Sequence, residues 1–281
     1  MASPCAVITE TRDSALAHEI FTLAITEVRR IEHKFSRYRS DSILAYIHRH
    51  PGRPVSVDAE TGMMLDFAHK AWQLSHGLFD VTSGLLRKIW TFDGSDRIPS
   101  RKQAKALLPY IGWHKVTWQP PSITLPCHME LDFGGFGKEY AADRAIELIR
   151  TAYDLPVMVN LGGDLRVSRN LRHKPCWEVM IAPTADGKTD NLEKRCFQLQ
   201  QGAVVTSGNT HRFLLRNGVR YSHILNPRTG WPVSRPPASV TVGGKTCLEA
   251  GLMATLAMLQ GRKAAAFLAA QGVKYWVQYQ Q

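Results

Sequence analysis

LDFGGFGKEYAAD, residues 131–143, decides how the chain is read. An apolar approach ends at Asp132. Gly134, Gly135 and Gly137 then remove side chains from the backbone just ahead of a helical pattern that opens at Lys138. Bare glycine backbone lets N–H groups come close to an anion, a following helix N-terminus adds partial positive charge, and Lys138 adds a full one. The competing reading is a tight strand-to-helix turn whose glycines serve only its angles. The spacing is neither GxGxxG nor GxxxxGK[ST], so neither of those mechanisms transfers.

Composition bounds what this turn belongs to. With 281 residues, 44% hydrophobic and 21% charged, the chain has enough apolar material for a real core. The net charge of +11 suits nucleic acid, an acidic surface or a phosphate-rich ligand. Its basic residues are scattered in pairs such as Arg29-Arg30 and Arg87-Lys88, with no nucleic-acid motif, which argues against RNA or DNA as partner. The five cysteines, at 5, 127, 176, 196 and 247, show neither CxxC nor Cys/His spacing and read as reduced thiols. No signal-peptide pattern opens the sequence and no stretch approaches a transmembrane span, so the expected location is cytoplasmic.

Upstream of the turn, Asp13 precedes Leu16, Ile20, Leu23, Val28, Ile31 and Phe35, a spacing that predicts a capped amphipathic helix. In FSRYRSDSILAYI, residues 35–47, Tyr38 lies between two arginines and either stacks on a flat ring or seals a helix end. Met64, Phe67, Ala68, Ala71 and Leu74 predict a second helix stopped by Gly77. GLFDVTSGLL, residues 77–86, places Asp80 beside Thr82 and Ser83, as an anchor for a ligand or metal or as an ordinary cap. Residues 97–108 read as a polar helix, and 112–125 alternate like strands broken at Pro120 and Pro121.

Downstream, Ala141, Ala145, Leu148, Ile149 and Ala152 give the helix after the turn one sheet-facing side. LPVMVNLGGDLRV, residues 155–167, is a strand, a Gly162-Gly163 bend and a strand. Asn160 and Asp164 flank that bend, bonding each other's backbone or pointing at a ligand. Residues 185–195 read as an exposed loop. The densest polar cluster spans 204–232, where Asn217-Gly218 predicts a two-residue hairpin that draws Thr206, Ser207 and Gly208 toward His223 and Asn226. His223 is a general base or a structural strand histidine. Asn226 to Gly230 is turn chemistry. A strand at 239–244, helices at 249–260 and 264–270 and a closing strand, KYWVQYQ, complete the pattern.

Six blocks taken in order resemble the FAD:protein FMN transferases, the ApbE-like flavin transferases: SRYRSDS at 36–42, GLFDVTSGLL at 77–86, LDFGGFGKEYAADR at 131–144, NLGGDL at 160–165, TSGNTHRF at 206–213 and SHILNPRTGWP at 222–232. The resemblance implies one α+β domain over residues 1–281, T-fold-like, with predominantly antiparallel sheets and packed helices. It implies an enzyme that splits FAD, transfers the FMN half to a Thr or Ser hydroxyl of an acceptor flavoprotein and releases AMP, using Mg2+. By position, Tyr38 contacts the flavin, Leu78, Phe79 and Asp80 line the FAD site, and Asp132 and Lys138 hold the ligand, with Asp164 beside them. The carbonyl of Gly135 and Thr255 are implied metal ligands, and His223 the catalytic histidine.

One position departs from that pattern. The family has an Asp four residues before the helix threonine, and here Gly251 stands there. Glu249 is expected to substitute as metal ligand if it precedes the helix, because inside the helix it would point about 200° away from position 251. Loss of the carboxylate leaves an alternative function, an FAD-binding protein or FAD pyrophosphatase without protein transfer. A basic nucleic-acid-binding protein is the third possibility, resting on charge alone.

Overall fold

The computed structural model describes residues 4–182, 196–209 and 212–279. The expected loop at 185–195 and the Thr210-His211 pair lie outside them. Numbered along the chain, six strands form the central sheet: β1 (Cys5–Thr9), β5 (Val157–Leu161), β6 (Asp164–Val167), β9 (Gly202–Gly208), β14 (Ser239–Gly244) and β15 (Lys274–Gln278). They lie in that order, each antiparallel to its neighbours. The smaller pieces are a three-stranded sheet of β2 (Pro54–Ser56), β4 (Ser122–Thr124) and β3 (Thr117–Gln119), and the pairs β7 (Trp177–Met180) with β8 (Cys196–Leu199), β10 (Phe213–Arg216) with β11 (Val219–Ser222), and β12 (Leu225–Asn226) with β13 (Trp231–Pro232). The α+β expectation holds, with antiparallel pairing throughout the described residues.

The helices are α1 (Ser14–Phe35), α2 (Ile43–His48), α3 (Ala59–Leu74), α4 (Arg101–Leu107), α5 (Gly137–Ala152), α6 (Cys247–Leu259) and α7 (Ala264–Ala270). Asp13 accepts from the N–H groups of Ala15 and Leu16, and Asp58 accepts from Thr61, so α1 and α3 start at side-chain caps. Ile20, Ala24, Val28, Ile31 and Phe35 form the buried stripe of α1 that packs on α5. A polar clip reinforces these contacts. Arg30 pairs with Glu27 and Glu60, Lys34 reaches Asp58 and Glu60 at 2.6 Å, and the Tyr140 hydroxyl of α5 donates to Glu60 at 2.7 Å.

Strand alternation decides which side chains reach the helices. In β9, Ala203 and Val205 join the main core under α5 and α6, while Val204 joins a second core with Met158, Val167, Trp177 and Phe197 on the opposite face. Ser207 therefore faces the helices and Thr206 faces away. The same rule turns Asp164 and Arg166 of β6 toward α5, where Arg166 Nε lies 3.0 Å from Asp143. A third core, built from Leu85, Leu86, Trp90, Ile111 and Leu214, lies under the β10–β11 hairpin. Asn217 and Gly218 take φ of +51° and +75° there, and Phe213 pairs with Ser222, as a two-residue turn requires.

Candidate functional site

Residues 133–137 alternate between anchor and bare backbone. Phe133 and Phe136 are buried, their centroids 5.1 Å apart, and they pack on Phe35 at 5.6 Å and Phe67 at 4.9 Å, respectively. The intervening glycines have no side chain of their own to fix the loop, so the phenylalanines hold it. A Cβ on Gly134 would lie 2.9 Å from Asp132 Oδ1, and one on Gly135 would touch the Phe79 ring at 3.4 Å. Space therefore favours glycine at 134, where the added carbon would crowd the carboxylate, while at 135 it would make only an ordinary contact. α5 then begins at Gly137 without a side-chain cap: the Gly137 N–H donates to the Phe133 carbonyl at 2.7 Å, and no side chain caps the amides that follow it.

Asp132 is fixed from three sides. Its N–H donates to Val81 at 2.8 Å, Oδ1 accepts from Gly134 N–H at 2.8 Å, and Oδ2 pairs with Arg37. The Arg37 guanidinium also donates to the Tyr38 hydroxyl and lies 4.8 Å from that ring. Tyr38 itself is 80% exposed, an aromatic face with solvent on it. His48 Nε2 accepts from the Leu131 N–H at 2.7 Å, and burial pulls this imidazole below its ordinary range, which keeps the accepting nitrogen unprotonated. Nothing in their local sequence singles out Arg37 or His48, since both depend on contacts more than eighty residues away in the chain.

Lys138 Nζ lies 2.7 Å from Asp164, which is almost wholly buried where β5 turns into β6. Burial raises the Asp164 carboxyl pKa, and the Lys138 charge opposes that rise. Asn160 takes the other open reading, its side chain accepting from Gly163 N–H at 2.9 Å to close the bend. Asp80 behaves as a cap. Oδ1 accepts from the Thr82 N–H at 2.8 Å and the Thr82 hydroxyl at 2.6 Å, and Oδ2 accepts from Trp113 N–H at 2.9 Å. Its neighbours differ: Phe79 is buried against Gly135, and Leu78 is half-buried.

His223 follows the hairpin. Its Nδ1 lies 3.1 Å from the Arg212 carbonyl, so Nδ1 carries the proton and Nε2 is left as the basic nitrogen. Burial lowers its pKa, which keeps it neutral near pH 7. The hairpin does not gather Thr206 and Ser207, contrary to expectation. β9 ends at Gly208 and pairs with β6 and β14, so Thr206 bonds to Thr241 at 2.9 Å and Ser207 to Thr255 at 3.3 Å. The polar run read as one cluster divides between two sheets.

The Glu249 expectation is also corrected. Glu249 sits inside α6, its N–H bonded to the Thr246 cap at 3.2 Å, and its side chain is exposed on a different face from position 251. A different acid occupies the space beside Gly251. A Cβ there would lie 2.7 Å from Glu139 Cγ and 3.0 Å from Oε1, and Glu139 is 7% exposed with Oε2 lacking a hydrogen-bond partner. Burial, then repulsion from Asp164, pushes its carboxyl up to about 8.

The model of the ApbE family matches residues 1–277. The chain belongs to the ApbE family. It is similar to the FAD:protein FMN transferase of Treponema pallidum, at 31% identity over 270 residues, covering 88% of this chain and 72% of that one. The Vibrio cholerae protein of the same name is 27% identical over 240 residues, covering 83% and 71%. The crystal structure of the ApbE protein from Thermotoga maritima superposes with a TM-score of 0.85 at 28% identity, covering 97% and 90% of the two chains.

Within this ApbE fold, Asp132, Gly135, Lys138 and Asp164 surround the start of α5, with Phe79 packed beneath. Tyr38 joins them through Arg37. No group of three or more His, Cys, Asp or Glu side chains suited to a metal occurs among the described residues. A cation here would rely on hydroxyl and carbonyl oxygens with few carboxylates. Thr255 and Ser207 supply such hydroxyls, and an all-oxygen set fits a hard ion such as Mg2+. Glu139 escaped the sequence reading. Its signal was the pairing of an unexpected glycine at 251 with an acid inside the helix start, visible only once α5 and α6 are packed together.

Proposed function

We propose that this chain transfers the FMN half of FAD to a Thr or Ser hydroxyl of an acceptor flavoprotein and releases AMP. The observation that carries the reading is the start of α5, where glycine backbone, Lys138 and Asp132 meet beside the exposed Tyr38. In this scheme the pyrophosphate lies over the uncapped amides, Lys138 faces its charge and the isoalloxazine rests on Tyr38. Leu78 and Phe79 line the same site, while Asp80, with both oxygens engaged, shapes it through the loop.

The acceptor hydroxyl oxygen bonds to the FMN phosphorus, and the bond from that phosphorus to the bridging oxygen breaks. AMP departs with that oxygen, and the hydroxyl proton passes to His223 Nε2. When bound, Mg2+ neutralises charge on the phosphate oxygens, and Thr255 and the Gly135 carbonyl are the residues that would hold it. Relatives named FAD:protein FMN transferase support the reaction.

The test mixes the protein, FAD, Mg2+ and a flavoprotein with an exposed Thr or Ser site, then reads in-gel flavin fluorescence and AMP. Labelled acceptor with equimolar AMP is the expected result. Free FMN and AMP without labelled protein would instead establish the pyrophosphatase reading, which the glycine at 251 favours. An FAD concentration left unchanged throughout would refute both.

A further inference from the structure

Three acids meet where α5 crosses α6 and the sheet, and two of them are engaged. Asp143 accepts from the N–H groups of Cys247 at 2.8 Å and Leu248 at 3.0 Å and pairs with Arg166, so it holds the start of α6. Asp164 is paired with Lys138. Glu139 is the remainder, buried, with Oε2 unpartnered. An ionised carboxylate in that state costs several kcal/mol unless a counter-charge reaches it.

Its position says what the counter-charge is. Glu139 fits only because residue 251 is glycine, since any Cβ there would overlap its Cγ. Gly251 and Thr255 are one turn apart on the same face of α6, and the Thr255 hydroxyl meets Ser207 from β9. One carboxylate and two hydroxyls thus converge from three separate elements on the side of α6 that faces the start of α5. We propose that Glu139 supplies the carboxylate ligand of a divalent cation at this site, replacing an acid on α6 with one reaching across from α5. This rests on the reading that the site takes a hard divalent ion.

The experiment uses the full chain and Mn2+, followed by electron paramagnetic resonance of the free ion and by the shift in melting temperature. Wild type should bind Mn2+ at one site and melt higher with it. Glu139→Gln keeps the shape and should weaken Mn2+ at least ten-fold, with the cation-dependent melting shift lost. Gly251→Asp alone should fold less stably, because its Cβ meets Glu139. The exchange Glu139→Gly with Gly251→Asp should recover both folding and Mn2+ binding to within a few-fold, whereas Glu249→Gln should leave binding unchanged. Undiminished Mn2+ binding by folded Glu139→Gln, or failure of the exchange to restore it, would overturn the assignment. A wild-type protein blind to Mn2+ would overturn the cation reading as well, while the flavin transfer assay reports separately on the reaction.

Discussion

Gly84→Ala tests how Asp132 is held. Gly84 lies in the 3-10 helix Val81–Lys88, and a Cβ there would stand 2.4 Å from Asp132 Cβ and 2.7 Å from Oδ2. Asp132 cannot yield cheaply, because its N–H is bonded to Val81 and its two oxygens to Gly134 and Arg37. Overpacking of this kind costs roughly 1–3 kcal/mol, and losing the charged bond to Gly134 adds about 1.5–3 kcal/mol if the carboxylate swings away. Taking about 2–4 kcal/mol for the two together, since relaxation relieves one at the expense of the other, the melting temperature should fall by roughly 3–7 °C for a chain of this size. FAD affinity should drop about 10- to 100-fold, the effect of one displaced charged contact. Thermal melts and fluorescence titration with FAD measure both. Gly62→Ala is the matched control, for its Cβ meets only Trp118 at 3.6 Å inside α3, where alanine favours helix by about 1 kcal/mol. If Gly84→Ala melts and binds FAD like wild type, the wedge between the two segments does not position Asp132.

Further expectations follow from other contacts. Lys138→Met strands the buried Asp164 and should cost about 3 kcal/mol by chemical denaturation; adding Asp164→Asn should restore stability but not FAD affinity, and a stable single variant would refute the pairing. Tyr38→Ala should leave the melting temperature unchanged, because the ring is 80% exposed, while weakening FAD by about 1 kcal/mol, roughly five-fold. With its pKa lowered by burial, His223 stays neutral and basic down through pH 6.5, so the acid limb of the rate profile should inflect below about 6.5, and His223→Gln should erase it. The same sign governs stability: the lowered His48 and His223 contribute fully above the unfolded value, and that contribution is lost as pH falls through their folded values.

The local features were legible because local chemistry determines them. Asp13 and Asp58 cap the helices that their neighbours' spacing predicts, and Asn217-Gly218 turns the hairpin. The glycine turn announces its bareness, though not that Phe133 and Phe136 fasten it. Long-range partners were hidden: Arg37 finds Asp132 and Lys138 finds Asp164 only after folding. Ser207 misled for a similar reason, since adjacency to the hairpin in sequence conceals that β9 belongs to the central sheet. Glu249 misled because it is an acid near the right residue but on the wrong side of a helix.

The Gly251–Glu139 contact has a consequence for how such proteins are compared. A position-by-position comparison registers a missing acid on one helix and scores a dead enzyme. Measured in ångströms instead of residue numbers, a carboxyl stands beside the bare position on α6 after all, reaching there from α5, and a side chain restored at 251 would collide with it.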